Sequence, residues 1–193
     1  MVSFREIIEN NNATFYNYRT NEKTSLRARI SFFALVAVFL SIFLMGEIGD
    51  FLSAVNTVVS IIIGFSFSVM FYIATEKASL NINGDSLEQQ NKKEIVEKLT
   101  KELFYNVTYF ILIAISVLVL SMAILIPDAW RILLAVGDLF WSRKPPAWMD
   151  SAMMAGSIAL RIAFAFCLLE AGFTFARLVG RVNFLFEEKM KSR

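Results

Sequence analysis

The chain has no histidine and a single cysteine, Cys167. The first absence removes the side chain most used as general base, metal ligand and haem ligand. The second excludes an intramolecular disulfide and any paired-cysteine metal site. No Gly-rich phosphate loop, nucleophile elbow or paired-carboxylate motif occurs. Cys167 stands in an apolar stretch without a basic neighbour to stabilise a thiolate, so it reads as a packing residue. Together these gaps argue against an enzyme and against a bound cofactor or metal. Charge is scarce in sum as well, and a net +2 gives the whole chain no electrostatic reason to bind nucleic acid directly.

What the chain does have is apolar length. Of its 193 residues 56% are hydrophobic, and they gather in four runs at 30–46, 51–75, 103–126 and 151–176. Each reaches or nearly reaches the roughly 20 residues a helix needs to cross about 30 Å of hydrocarbon. The runs are continuous rather than alternating with period two, which selects helices over a barrel. The reading is an all-α membrane protein with a single four-helix transmembrane domain over 1–193 and no separate soluble domain. The N-terminus, Met1 to Glu9, carries acidic residues where a cleaved leader has its basic region, so the first span is expected to direct insertion.

Basic residues set the orientation. Arg5, Arg19, Lys23, Arg27 and Arg29 precede the first span; Lys77, Lys92, Lys93, Lys98 and Lys101 lie between the second and third; Arg177, Arg181, Lys189, Lys191 and Arg193 follow the fourth. The first loop has no basic residue, and the third has only Arg131, Arg143 and Lys144. Segments 1–29, 76–102 and 177–193 are therefore expected in the cytoplasm, with both termini inside. The loop 127–150 is expected outside. It holds all three tryptophans, Trp130, Trp141 and Trp148, and Asp128 to Trp141 predicts a short helix lying at the outer headgroup level between Pro127 and Pro145.

On the cytoplasmic side, Asp85 and Glu88 have the spacing of a capping box, and Leu87, Ile95, Val96, Leu99 and Leu103 form a helical stripe. Nothing breaks the pattern before the third span. A helix unbroken from about 86 to 126 is predicted, roughly 60 Å long, with half of it standing as a cytoplasmic stalk. Ser3 and Glu6 predict a short N-terminal helix that places Phe4, Ile7 and Ile8 on one side. The stripe could be covered by that helix, or it could dock another copy or a soluble partner, assisted by Phe15, Tyr16, Tyr18, Phe184 and Phe186. For such docking the candidate residues are Leu87, Ile95, Leu99, Phe184 and Phe186.

Within the membrane, Ala155, Ala159, Ala163, Cys167 and Ala171 form a small-residue ridge on the fourth span. Ser60, Gly64 and Ser68 form another on the second, extended by Ser53 and Asn56. The two ridges could seat against each other or against a neighbouring subunit. Arg161 and Glu170 stand nine residues apart in the last span, pointing to opposite sides and about 13 Å apart along the axis, so they cannot neutralise each other within one helix. Candidate partners are Asn56, Thr57, Ser60, Asn106, Tyr109, Ser116 or the opposite charge of a second chain. Three readings follow: Arg161 snorkelling with Glu170 hydrogen-bonded to polar neighbours, a water-filled pore lining, or an intersubunit pair.

This plan, in its size, span count and basic face of Arg27, Arg29, Lys92, Lys93 and Arg177, resembles the membrane subunit of the bacterial Kiwa anti-phage systems. It is also similar to other small four-span effectors of bacterial defence. The resemblance implies an inner-membrane homo-oligomer that senses phage arrival and acts with a soluble cytoplasmic partner, and it carries no functional residues over. The expected function is a non-enzymatic sensor or scaffold. The alternatives are a gated pore lined by Ser53, Asn56, Ser60, Arg161 or Glu170, or a membrane-permeabilising effector. Less favoured is a small proton-coupled transporter, since no inverted repeat relates the two halves.

Overall fold

A computed structural model describes residues 3–14, 25–44, 48–79, 87–125 and 148–191. It contains five helices, α1 (Phe4–Ala13), α2 (Leu26–Phe43), α3 (Gly49–Ser79), α4 (Leu87–Leu125) and α5 (Trp148–Lys191), and no strand among the described residues. Four of them hold segments long and apolar enough to cross a membrane: Leu26–Phe43, Gly49–Tyr72, Glu97–Leu125 and Met154–Asn183.

Each helix starts or continues for a local reason. Ser3 opens α1, its backbone N–H donating to Glu6 Oε2 at 3.4 Å, which is the expected capping box. Ser25 caps α2 by accepting from the Ala28 N–H. The first span therefore begins at Leu26 rather than at residue 30, and Arg27 and Arg29 lie in its opening turn, not in the preceding segment. Neither proline nor a cap interrupts α4, which runs 39 residues without a break as the stripe foretold. The same holds for α5, whose 44 residues continue through 177–191, so the boundary placed at 176 is no break in the backbone.

The spans pack in the order α2, α5, α4, α3, and α1 lies along α4. Having α3 on one side and α5 on the other, α4 supplies most of the core: Leu103, Val107, Phe110, Ile111, Ala114 and Val117 meet Leu52 and Val59 of α3 and Phe164, Ala171 and Leu178 of α5. Their spacing along α4 is that of a helical face. Phe110 packs on Phe175 at 5.7 Å between ring centroids, and Phe33 of α2 meets Phe173 of α5 edge-on at 5.6 Å.

Large apolar side chains cover much of the outside, and polar ones lie within. Phe32, Leu35, Phe39, Ile42 and Phe43 on α2, and Ile61, Phe65 and Phe71 on α3, are exposed, whereas Glu170, Asn106, Thr174, Ser66 and Ser121 are buried. Water would not tolerate that much contiguous apolar surface, but lipid tails are its natural neighbour. The molecule is thus built as a multi-pass membrane protein.

Candidate functional site

Glu170, Thr174, Arg177 and Arg181 follow one another at spacings of four, three and four along α5, which sets them on one helical face. All four face the protein interior, with Arg177 only half-buried. Charge inside a bundle requires partners. The neighbouring helices supply them: Glu102 and Tyr109 from α4, Arg29 from α2, and Thr14 at the end of α1.

Two connected groups result. At the deeper level the Arg29 guanidinium lies 3.3 Å from Glu170 Oε1, and the Tyr109 hydroxyl donates to the same oxygen at 3.1 Å. Glu170 Oε2 is buried without a hydrogen-bond partner among the described residues. The Phe173 ring lies beneath two guanidiniums, those of Arg29 at 5.3 Å and Arg177 at 6.0 Å from its centroid. Its electron-rich face is suited to cations held away from water.

The second group closes the end of the bundle around Thr14, the residue that terminates α1. Arg177 Nη2 donates to the Thr14 carbonyl at 3.0 Å, and Arg181 Nη2 donates to the same oxygen at 2.6 Å. The last carbonyls of a helix lack intrahelical donors and carry the negative end of its dipole, so two guanidiniums are well matched to them. The Thr14 hydroxyl accepts from Arg177 at 3.2 Å and lies 2.6 Å from the Asn11 carbonyl and 3.0 Å from Asn106 Oδ1. Its single proton can serve only one of those two acceptors at a time. Glu102 faces Arg181 at 3.9 Å. The arrangement is a clamp that fastens the N-terminal helix to α4 and α5.

The other expected residues fall elsewhere. Tyr109 was among the candidate partners of Glu170, but Arg29, assigned to the segment before the span, was not. Within its own chain Glu170 pairs with Arg29 rather than with Arg161. Arg161 lies toward the opposite end of α5, half-buried, with Nη1 buried and unpartnered among the described residues. Asn56 accepts from Ser121 Oγ at 2.6 Å, tying α3 to α4, while Ser53 and Ser60 are exposed.

The two small-residue ridges do not seat on each other. Ser60, Gly64 and Ser68 face outward, and a Cβ built on Gly64 meets nothing within 4 Å. Ala155 and Ala159 are exposed, Ala163 and Cys167 are half-buried, and only Ala171 reaches the core.

Of the docking candidates, Leu99 is buried by the chain itself, so it offers no free surface. Leu87 and Ile95 lie on α4, and Phe184 and Phe186 on α5, with side chains outside the description. The N-terminal helix α1 packs on α4, and its Ile7 and Ile8 are half-buried. Trp148 opens α5. Phe15, Tyr16, Tyr18, Trp130, Trp141 and the helix expected over 128–141 lie outside the described residues.

The α5 spacing that builds the clamp was present in the sequence, but Asn11, Thr14, Thr174 and Glu102 carried no signal of their own. Comparison of the chain with protein-family models, curated proteins and solved structures gave no match.

Proposed function

We propose that the chain is a non-enzymatic, homo-oligomeric sensor or scaffold of the bacterial inner membrane, with both termini cytoplasmic, that recruits a soluble cytoplasmic protein. Its plan supports a role in anti-phage defence. One observation carries the assembly: Arg29 and Glu170 pair within one chain, while Ser60, Gly64 and Ser68 are exposed. Small residues let helix backbones approach closely in lipid, and among the described residues no helix covers this strip at Gly64. A second copy supplies one.

The cytoplasmic face in this reading is the end where α1, the start of α4 and the close of α5 meet. Residues 87–96 of α4 and 184–191 of α5 extend beyond the spans there and carry Leu87, Ile95, Phe184 and Phe186. The decisive experiment is native mass spectrometry of particles extracted gently from their own membrane. A multiple of the 21.9 kDa chain, with a soluble protein attached, is the expected result. A bare monomer overturns the proposal. Loss of the partner in Leu87→Glu with Ile95→Glu is the matching result for the docking ends.

A gated pore is the second reading, and Arg161 favours it, because a half-buried cation within a span is costly unless it is paired or hydrated. Purified protein in planar bilayers separates the two. Current above background that changes in Arg161→Gln supports the pore, and its absence with the partner present supports the scaffold.

A further inference from the structure

We infer that Arg177 and Arg181 form a phosphate-binding site now occupied by the C-terminal carbonyl of α1, and that a phosphate group arriving there releases α1 from the bundle. Two guanidiniums converge on one oxygen, at 3.0 and 2.6 Å, and that oxygen belongs to a neutral carbonyl. A phosphate oxygen in the same position adds the attraction of opposite charges to hydrogen bonds that now end on a neutral carbonyl, and the guanidinium fork matches phosphate geometry. Asn106 Nδ2 and Thr174 Oγ1 are buried without partners among the described residues, and both stay on α4 and α5 when α1 leaves.

The seat of α1 is built for release. Its innermost residue, Asn11, is 0% exposed, yet neither Asn11 Nδ2 nor Asn11 Oδ1 has a partner among the described residues. A buried amide without hydrogen bonds works against docking, and the apolar contribution of Ile7 and Ile8 is only half made. The clamp at Thr14 therefore holds the helix down, so a better acceptor for the two arginines competes directly with it.

The position of the clamp fits a ligand at the bilayer surface. Arg177 and Arg181 fall in the last turns of a span that ends at Asn183, and Glu102 opposite them is five residues into the span that starts at Glu97. Spans with these limits set the clamp at headgroup depth, where the phosphate of an anionic lipid and a soluble phosphate compound are both within reach. The site does not depend on the assembly proposed above.

The test is the distance between spin labels at Arg5→Cys on α1 and Lys98→Cys on α4, both exposed positions, in full-length Cys167→Ala protein reconstituted in nanodiscs. Dilution with unlabelled chain restricts the signal to one molecule. Four conditions are compared: phosphatidylcholine alone, the same with phosphatidic acid, the same with oleate at equal charge, and phosphatidylcholine with inorganic phosphate in solution. The expected result is a single short distance in phosphatidylcholine and a longer, broader one with phosphatidic acid, with no change in oleate. The same shift with inorganic phosphate supports the site and identifies a soluble source. In Arg177→Lys with Arg181→Lys, which keeps charge and loses the fork, phosphatidic acid no longer alters the distance. An unchanged distance in all four conditions, an equal response to oleate, or an undiminished response in the lysine pair overturns the inference.

Discussion

Arg29 and Glu170, from helices at opposite ends of the chain, meet 3.3 Å apart with side chains only 8% and 4% exposed. A pair so buried contributes little net stability compared with apolar residues of similar size, but losing one member leaves an uncompensated charge. Arg29→Met and Glu170→Met, each alone, are expected to destabilise the bundle by about 3 to 5 kcal/mol. The double variant recovers most of that loss. Unfolding midpoints in mild detergent measure all three. A double variant as unstable as the worse single one shows that the pair is not the unit.

The Thr14 hydroxyl is the second test of the clamp, since it can be removed while the carbonyl stays. Thr14→Val loses the contacts to Asn106 Oδ1 and Arg177 and leaves the Asn106 amide still less satisfied. The expected cost is about 1 to 2 kcal/mol, borne by α1 docking rather than by the spans. That corresponds to a roughly 5- to 30-fold faster amide exchange. Hydrogen exchange should accelerate over Phe4–Ala13 and stay unchanged over the core of α4. Acceleration spread evenly over both helices contradicts a local role.

The spans, the short N-terminal helix and the unbroken α4 were legible because each rests on a local signal: apolar run, capping box, absence of breakers. Arg29 shows where local signals fail. Hydropathy assigns an arginine to a loop, yet the Ser25 cap starts the helix before it and turns it toward α5. The 170, 174, 177, 181 spacing was equally visible, but it reveals only that these groups share a face. Which residues answer them depends on the register of α5 against α1, α2 and α4, and no single segment encodes that register. A costly intramembrane glutamate announced the need for partners, and Tyr109 stood among the candidates while Arg29 did not.

Asn56 and Ser121 test how much a lone polar contact holds α3 in place. Their 2.6 Å hydrogen bond joins α3 to α4 and stands apart from the charged seam. Interhelical bonds of this kind in membranes average about 0.6 kcal/mol and reach about 1.7. Asn56→Ala, Ser121→Ala and the double variant are expected to give a coupling energy in that range by a double-mutant cycle. A coupling near zero assigns the cohesion of α3 to Leu52 and Val59 alone.

Gly64 and Ala114 separate assembly from folding. Both are small residues in spans, but Gly64 opens onto empty space and Ala114 is wholly buried at the centre of the core. Ala114→Leu forces extra volume into a packed interior, with an expected loss of about 1 to 3 kcal/mol in the fold itself. A Cβ added at Gly64 meets no atom within 4 Å among the described residues, so with Gly64→Leu the helix content and unfolding midpoint of the isolated chain are expected to stay as they were. What it removes is the close approach of a second backbone along Ser60, Gly64 and Ser68. The expected outcome is a smaller particle by native mass spectrometry with an intact monomer fold. A particle of unchanged mass moves the contact between copies to another face, and a destabilised monomer places α3 against its own chain at Gly64.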